Sequence, residues 1–120
     1  MSVSNSGNVY FNSRNDEGRG VFCSSFINGK YTKPKFTGVD GMSPFISPDE
    51  TYMVFARLIS GRAVPFICFK SKEGQWTEPI DIQRYIGNGV CCIVSPDEKY
   101  VFIDDRWASA EFIEELRPKR

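Results

Sequence analysis

Residues 46–50 read ISPDE and residues 94–98 read VSPDE, and the match extends outward: PFISPDETYMVF (44–55) aligns with CIVSPDEKYVFI (92–103). Ser47 and Ser95 stand 48 positions apart. A second match, NGKYTKP at 28–34 against EGQWTEP at 73–79, interleaves with the first at a period of 45, counted from Gly29 to Gly74. The opening SVSNSGNVYF reads as a worn copy of the same unit, because Ser4 lies 43 residues before Ser47 and Phe11 answers Phe55 after one deletion. Three starts of one unit thus recur at a spacing typical of stacked or radial repeats, among which a four-stranded propeller blade takes about 40–45 residues.

The repeated pentapeptide has a physical reason. Proline presets φ for the second position of a type I turn, and neighbouring Ser and Asp side chains bond to nearby backbone N–H groups. Ser47, Pro48 and Asp49, with Ser95, Pro96 and Asp97, are therefore expected to be structural turns, and Glu50 and Glu98 corner residues rather than paired hydrolytic acids. A short strand precedes each turn (MSPFIS, VCCIVS) and a longer one follows (TYMVFAR, KYVFID). The middle unit continues with a third strand at 64–70, a turn at Glu73-Gly74 and a fourth strand at 75–82; the first unit has the same parts at 20–26, Asn28-Gly29 and 30–36. Asn-Gly between strands is a strong hairpin signal. Pro34 and Pro79 mark the fourth strands as outer edges, where a missing N–H is tolerated, and Tyr31 and Trp76 there read as packing aromatics. The third unit is expected to stop after its second strand. Phe112, Ile113 and Leu116 then fall at helical spacing, predicting a short helix over about 108–116, with Arg117 and Lys119 at its negative end. The units run over about 1–41, 42–88 and 89–107.

Charge and composition exclude several functions. Fifteen basic residues balance fifteen acidic ones, so no net field draws the chain to nucleic acid, and the terminal RPKR reads as a solvated tail. The longest apolar stretch, such as 64–69, falls far short of the roughly 20 residues a membrane helix needs, so no membrane insertion is expected. The residues after Met1 form neither a basic nor an apolar block, so no secretory signal is read and the compartment is left open. Cys23, Cys68, Cys91 and Cys92 show no CxxC spacing and are expected to be buried thiols. Histidine is absent, which removes the commonest general base and metal ligand. The expectation is no catalytic residue, no metal and no cofactor.

PFISPDETYMVFAR, SKEGQWTEPI, VSPDEKYVFI and the terminal FIEELRPK together resemble the WD40-like β-propeller repeats of the TolB type, in particular their C-terminal blades. The resemblance spans nearly the whole chain and implies an all-β fold: about two and a half four-stranded antiparallel propeller blades with a short C-terminal helix. Two departures stand out. The family's Asp-Ile-Tyr or Asp-Leu-Tyr at the third strand is replaced by Gly20-Val21-Phe22 and Val64-Pro65-Phe66, and the last unit keeps only an Asp and the Trp, in Asp104-Asp105-Arg106-Trp107. Relatives that cleave uronic-acid sugars hold a metal with histidines, and that role transfers to no residue here. The family is often periplasmic or secreted, and includes peptide-binding, sugar-processing and scaffold members, so fold does not fix function.

Closed propellers use about four to eight blades, and two and a half leave an open flank on each side. Either the chain is the C-terminal part of a longer protein, the favoured expectation, or several copies complete a ring as a homo-oligomer. In such propellers the loops from fourth to first and from second to third strands gather on one face. The candidate ligand-face residues are Asp40, Arg57, Arg62, Tyr85, Asn88, Asp105, Arg106 and Trp107. Arginine suits carboxylates in a bidentate fork, and tyrosine suits sugar or peptide stacking. The expected function is a non-catalytic binding or scaffold module that presents loops to a protein or glycan partner. One alternative is the tail of a carbohydrate-active or peptide-processing enzyme whose catalytic residues lie elsewhere; the other is a self-assembling structural propeller.

Overall fold

The computed structural model describes residues 1–118. Thirteen strands and two short helices are ordered along the chain: β1 (Ser2–Val3), β2 (Val9–Asn15), β3 (Gly18–Ser24), β4 (Phe26–Ile27), β5 (Lys30–Tyr31), β6 (Lys35–Phe36), β7 (Met42–Ile46), β8 (Tyr52–Ile59), β9 (Arg62–Phe69), β10 (Ile80–Asp81), α1 (Gln83–Ile86), β11 (Cys92–Val94), β12 (Tyr100–Ile103), β13 (Arg106–Ser109) and α2 (Glu111–Leu116). They form three consecutive antiparallel meanders: sheet 1 in the order β1-β2-β3-β6, sheet 2 as β7-β8-β9-β10 and sheet 3 as β11-β12-β13, with β4-β5 as a small separate hairpin. The fold is all-β, built from small antiparallel sheets.

All three turn sites adopt one geometry. The Ser47 N–H donates to the Tyr52 carbonyl at 3.0 Å and the Glu50 N–H to the Ser47 carbonyl at 2.9 Å, while Ser47 Oγ accepts from the N–H groups of Thr51 and Tyr52. Ser95 repeats the pattern with Tyr100 and Glu98. Ser4 repeats it with Asn8 and Gly7, one residue shorter. The last turn residue sits in the left-handed region each time, with φ of 60° at Glu50, 61° at Glu98 and 86° at Gly7. Asp49 accepts from Ser47 Oγ and from both donors of Thr51, and Asp97 from Ser95 Oγ and the Lys99 N–H.

The strand pattern explains how the sheets stack. Residues 52–56 of β8 and 64–69 of β9 are all buried, as befits strands covered on both faces. Met53, Phe55, Phe66 and Cys68 pack with Tyr10 and Val21 of sheet 1. Tyr52, Val54, Ile67 and Phe69, on the opposite face, pack with Val94, Val101 and Ile103 of sheet 3 and with Phe112 and Ile113 of α2. Sheet 2 is thus the middle layer, and each large side chain fully buried there stabilises the fold by about 1.5–3 kcal/mol.

Three features differ from the sequence reading. The third unit does not stop after its second strand: β13 pairs with β12 from Tyr100↔Ser109 to Ile103↔Arg106, so α2 begins at Glu111 rather than near 108. The Asp104-Asp105 turn, with Asp104 at φ 50°, returns the chain along β12 and draws Arg106–Ser109 into the sheet. Each fourth strand is broken at its proline. In the first unit β5 pairs with β4 and β6 with β3; in the second, Trp76 forms a lone bridge to Lys70 before β10 pairs with β9. Proline supplies no ladder N–H, and just before each one a threonine fastens the break: Thr77 Oγ1 accepts from the Phe69 N–H at 2.9 Å and Thr32 Oγ1 from the Ser25 N–H at 3.0 Å. Finally, Cys91 is exposed, whereas Cys68 and Cys92 are buried and Cys23 is half-buried. Lys119, placed at the end of the helix by sequence, lies outside the described residues.

Candidate binding cleft

Between sheets 1 and 2, at the end away from the Ser-Pro-Asp-Glu turns, lies an open cleft of about 910 Å³ lined by Asn12, Arg14, Arg19, Asp40, Gly41 and Arg57 among others. The loop at its base is drawn close to the sheets by two glycines. At Gly20, φ is 144° and a Cβ would strike the Val39 carbonyl; at Gly41 a Cβ would enter the Phe55 ring. With Gly20 in place, the Val21 N–H donates to the Val39 carbonyl at 2.8 Å. A register shift between Met42 and Phe45, with Ser43 at φ 49°, interrupts the β7-β8 ladder beside the cleft, and bulges of this kind are common next to sites.

Arg57 is held from two sides. Its guanidinium lies over the Phe66 ring at 5.1 Å and the Phe55 ring at 5.5 Å, and its Nε donates to the Asp40 carbonyl at 2.5 Å. Its terminal nitrogens have no hydrogen-bond partner among the described residues. Arg14 and Arg19 face each other directly across the β2-β3 hairpin, and neither has an ion-pair partner among the described residues. Like charges directly opposite destabilise a ladder. Three guanidiniums therefore meet one carboxylate, that of Asp40, in the cleft lining.

The other sequence candidates are dispersed. Arg106 donates to the Asn88 carbonyl, as Arg57 does to Asp40; Asp40 and Asn88 stand 48 residues apart, so this fastening of an inter-unit loop is a repeated device. Gly41 and Gly89 repeat too, their Cβ positions meeting Phe55 and Ile103. Asn88 Oδ1 is buried without a hydrogen-bond partner in the described residues. Asp105 is exposed in the β12-β13 turn, and Arg62 begins β9 beside the Ser60-Gly61 turn. Tyr85 belongs to α1 rather than to a loop, and its ring stacks on Phe112 of α2 at 4.8 Å. Trp107, 68% exposed, stands on the outer face of sheet 3 with its ring edge-on to Tyr100. Of the eight candidates, the cleft gathers Asp40 and Arg57. Arg14 and Arg19 complete it; their signal was two arginines flanking an Asp-Glu-Gly turn, at positions that pair across a hairpin.

The turn acids are occupied by structure. Glu50 reaches across to sheet 1, where Oε1 accepts from the Tyr10 hydroxyl at 2.6 Å and Oε2 from Ser4 Oγ and Asn8 Nδ2, each at 3.0 Å. Lys70 stands 3.8 Å away. Burial disfavours the charged carboxylate, but these hydrogen bonds outweigh it and hold Glu50 below the usual glutamate range. Glu98 repeats the reach more weakly, accepting from the Tyr52 hydroxyl at 3.3 Å. Among the described residues no group of three His, Cys, Asp or Glu side chains is placed to hold a metal ion. Comparison of the chain with family models, with curated proteins and with solved structures gives no match in any of the three.

Proposed function

We propose that the chain is a non-catalytic binding module made of TolB-like propeller blades, and that the cleft between sheets 1 and 2 receives a carboxylate-bearing group of a protein or glycan partner. The observation that carries the reading is the excess of guanidinium in the cleft: Arg14, Arg19 and Arg57 against Asp40. A planar fork matches a carboxylate in two parallel hydrogen bonds, and an anion between Arg14 and Arg19 would relieve their mutual repulsion. The aromatic seat under Arg57 fixes its direction in advance, which reduces the entropy lost on binding. The blade reading rests on the three equivalent turns and on the successive stacking of the meanders. A non-catalytic role fits the engagement of Asp49, Asp97 and Glu50 in the turns and between the sheets.

The test is calorimetric titration with two probes, a glutamate-rich peptide and an oligouronate, each compared with a neutral analogue of equal length. Binding of either acidic probe, weakened about tenfold or more by Arg14→Gln and by Arg57→Gln, supports the reading and identifies the partner as protein or glycan. Equal affinity for acidic and neutral probes, or binding indifferent to both substitutions, overturns it.

A further inference from the structure

The two outermost sheet faces are apolar, and the chain contains its own template for what covers them. On the outer face of sheet 3, Ile93, Phe102 and Trp107 sit side by side in register, with exposures of 56%, 42% and 68%, and Tyr100 beside them is 43% exposed. Ile93, Tyr100 and Phe102 lie 48 positions after Phe45, Tyr52 and Val54. Those three pack in the core between sheets 2 and 3.

The outer face of sheet 1 matches the complementary side. Val9 and Phe11 lie 44 positions before Met53 and Phe55, which are buried against sheet 1. Phe11, Phe22 and Phe36 stack across this face, at 6.3 and 5.4 Å between successive rings; Phe22 is covered by these neighbours, Phe11 and Phe36 are half-buried, and Val3, paired with Val9, is 54% exposed. The two free faces are therefore the two halves of an interface that the chain already makes twice internally.

We propose that the outer face of sheet 3 docks on the outer face of sheet 1 of a second copy of this chain, head to tail, continuing the internal stacking. A heterologous contact of this kind either closes into a ring or propagates into a fibre. Each copy supplies three meander sheets, so two copies supply six, within the range of about four to eight that closed propellers use. The expected product is a closed dimer.

One residue tunes this contact. Within the chain, Glu50 and Glu98 each join a turn to the preceding sheet, and the corresponding position in the first unit is Gly7. The contact between copies lacks that carboxylate, leaving the Tyr100 hydroxyl without the partner that Tyr52 finds in Glu98. It is thus weaker than the internal interfaces and dissociates first.

Light scattering on a sizing column across a concentration series tests the proposal. A species of twice the 13.6 kDa chain mass at high concentration is expected for the wild type. Phe102→Glu and Val3→Glu, both at exposed sites, should each give a folded monomer by circular dichroism. A mixture of the two should recover a dimer, because each supplies the face the other lacks. A wild-type monomer throughout the series, a dimer that persists in Phe102→Glu, or a mixture that stays monomeric overturns the proposal.

Discussion

The Glu50 carboxylate accepts a 2.6 Å hydrogen bond from the Tyr10 hydroxyl, tying the turn of one sheet to the second strand of the sheet before it. Ser4 and Asn8 donate to the other oxygen. Glu50→Ala would leave Tyr10, only 2% exposed, without its acceptor, and is expected to destabilise the fold by about 1–3 kcal/mol. Glu98→Ala removes a single 3.3 Å contact and should destabilise it less. Urea unfolding of both variants measures the difference; equal losses would contradict the assignment.

The same pair predicts the pH limits. Glu50 is held below its usual range, so its contribution is complete above the unfolded glutamate pKa of about 4.3 and falls away as pH drops through the lower folded value. Tyr10 is pushed above its ordinary value by burial and by its bond to Glu50. Its contribution is complete below about pH 10 and falls as pH rises through the folded value. Thermal melts against pH should show both losses, and Tyr10→Phe should reduce the alkaline one, which the buried Tyr52 hydroxyl and the Cys68 and Cys92 thiols share because burial raises them too.

Gly41 and Gly89 answer each other one period apart, and a Cβ on either would enter the Phe55 or Ile103 side chain. Gly41→Ala and Gly89→Ala are each expected to destabilise the fold by about 1–3 kcal/mol through overpacking. Unchanged melting temperatures would mean that these loops do not lie as closely on the sheets as described.

The cysteines should separate by reactivity. Burial pushes the Cys68 and Cys92 thiols up to about 12 and raises Cys23 as well, whereas Cys91 is exposed. The thiolate is the reactive form, so a thiol reagent under native conditions should modify Cys91 first. Mass spectrometry of the labelled peptides checks this, and rapid labelling of Cys68 would contradict its burial.

The turns and the meander order were legible because serine, proline and aspartate act locally and runs of β-branched and aromatic residues flank each turn. Even the worn first copy was visible, since Ser4 and Phe11 keep their spacing to Ser47 and Phe55 without Pro-Asp-Glu. What escaped depended on distant partners. β13 was hidden because Trp107 and Ala108 follow no strict apolar alternation and pair only once Asp104-Asp105 reverses the chain. Tyr85 looked like a loop aromatic because its partner, Phe112, lies 27 residues on. Arg57 and Asp40 could be assigned to one end of the sheets from the loop order, but the pairing of Arg14 with Arg19 depends on the register of β2 with β3. The long reach of Glu50 was not legible at all, because a turn glutamate declares no partner in the preceding sheet.

The most direct measurement is an amide chemical-shift map of isotope-labelled protein titrated with the acidic peptide and the oligouronate. Saturable shifts at Arg14, Arg19, Gly20, Asp40, Gly41 and Arg57 for one of them, lost in Arg14→Gln, are the predicted result. No saturable shift with either probe, or shifts confined to the Ser-Pro-Asp-Glu turns, would contradict the cleft as the binding site.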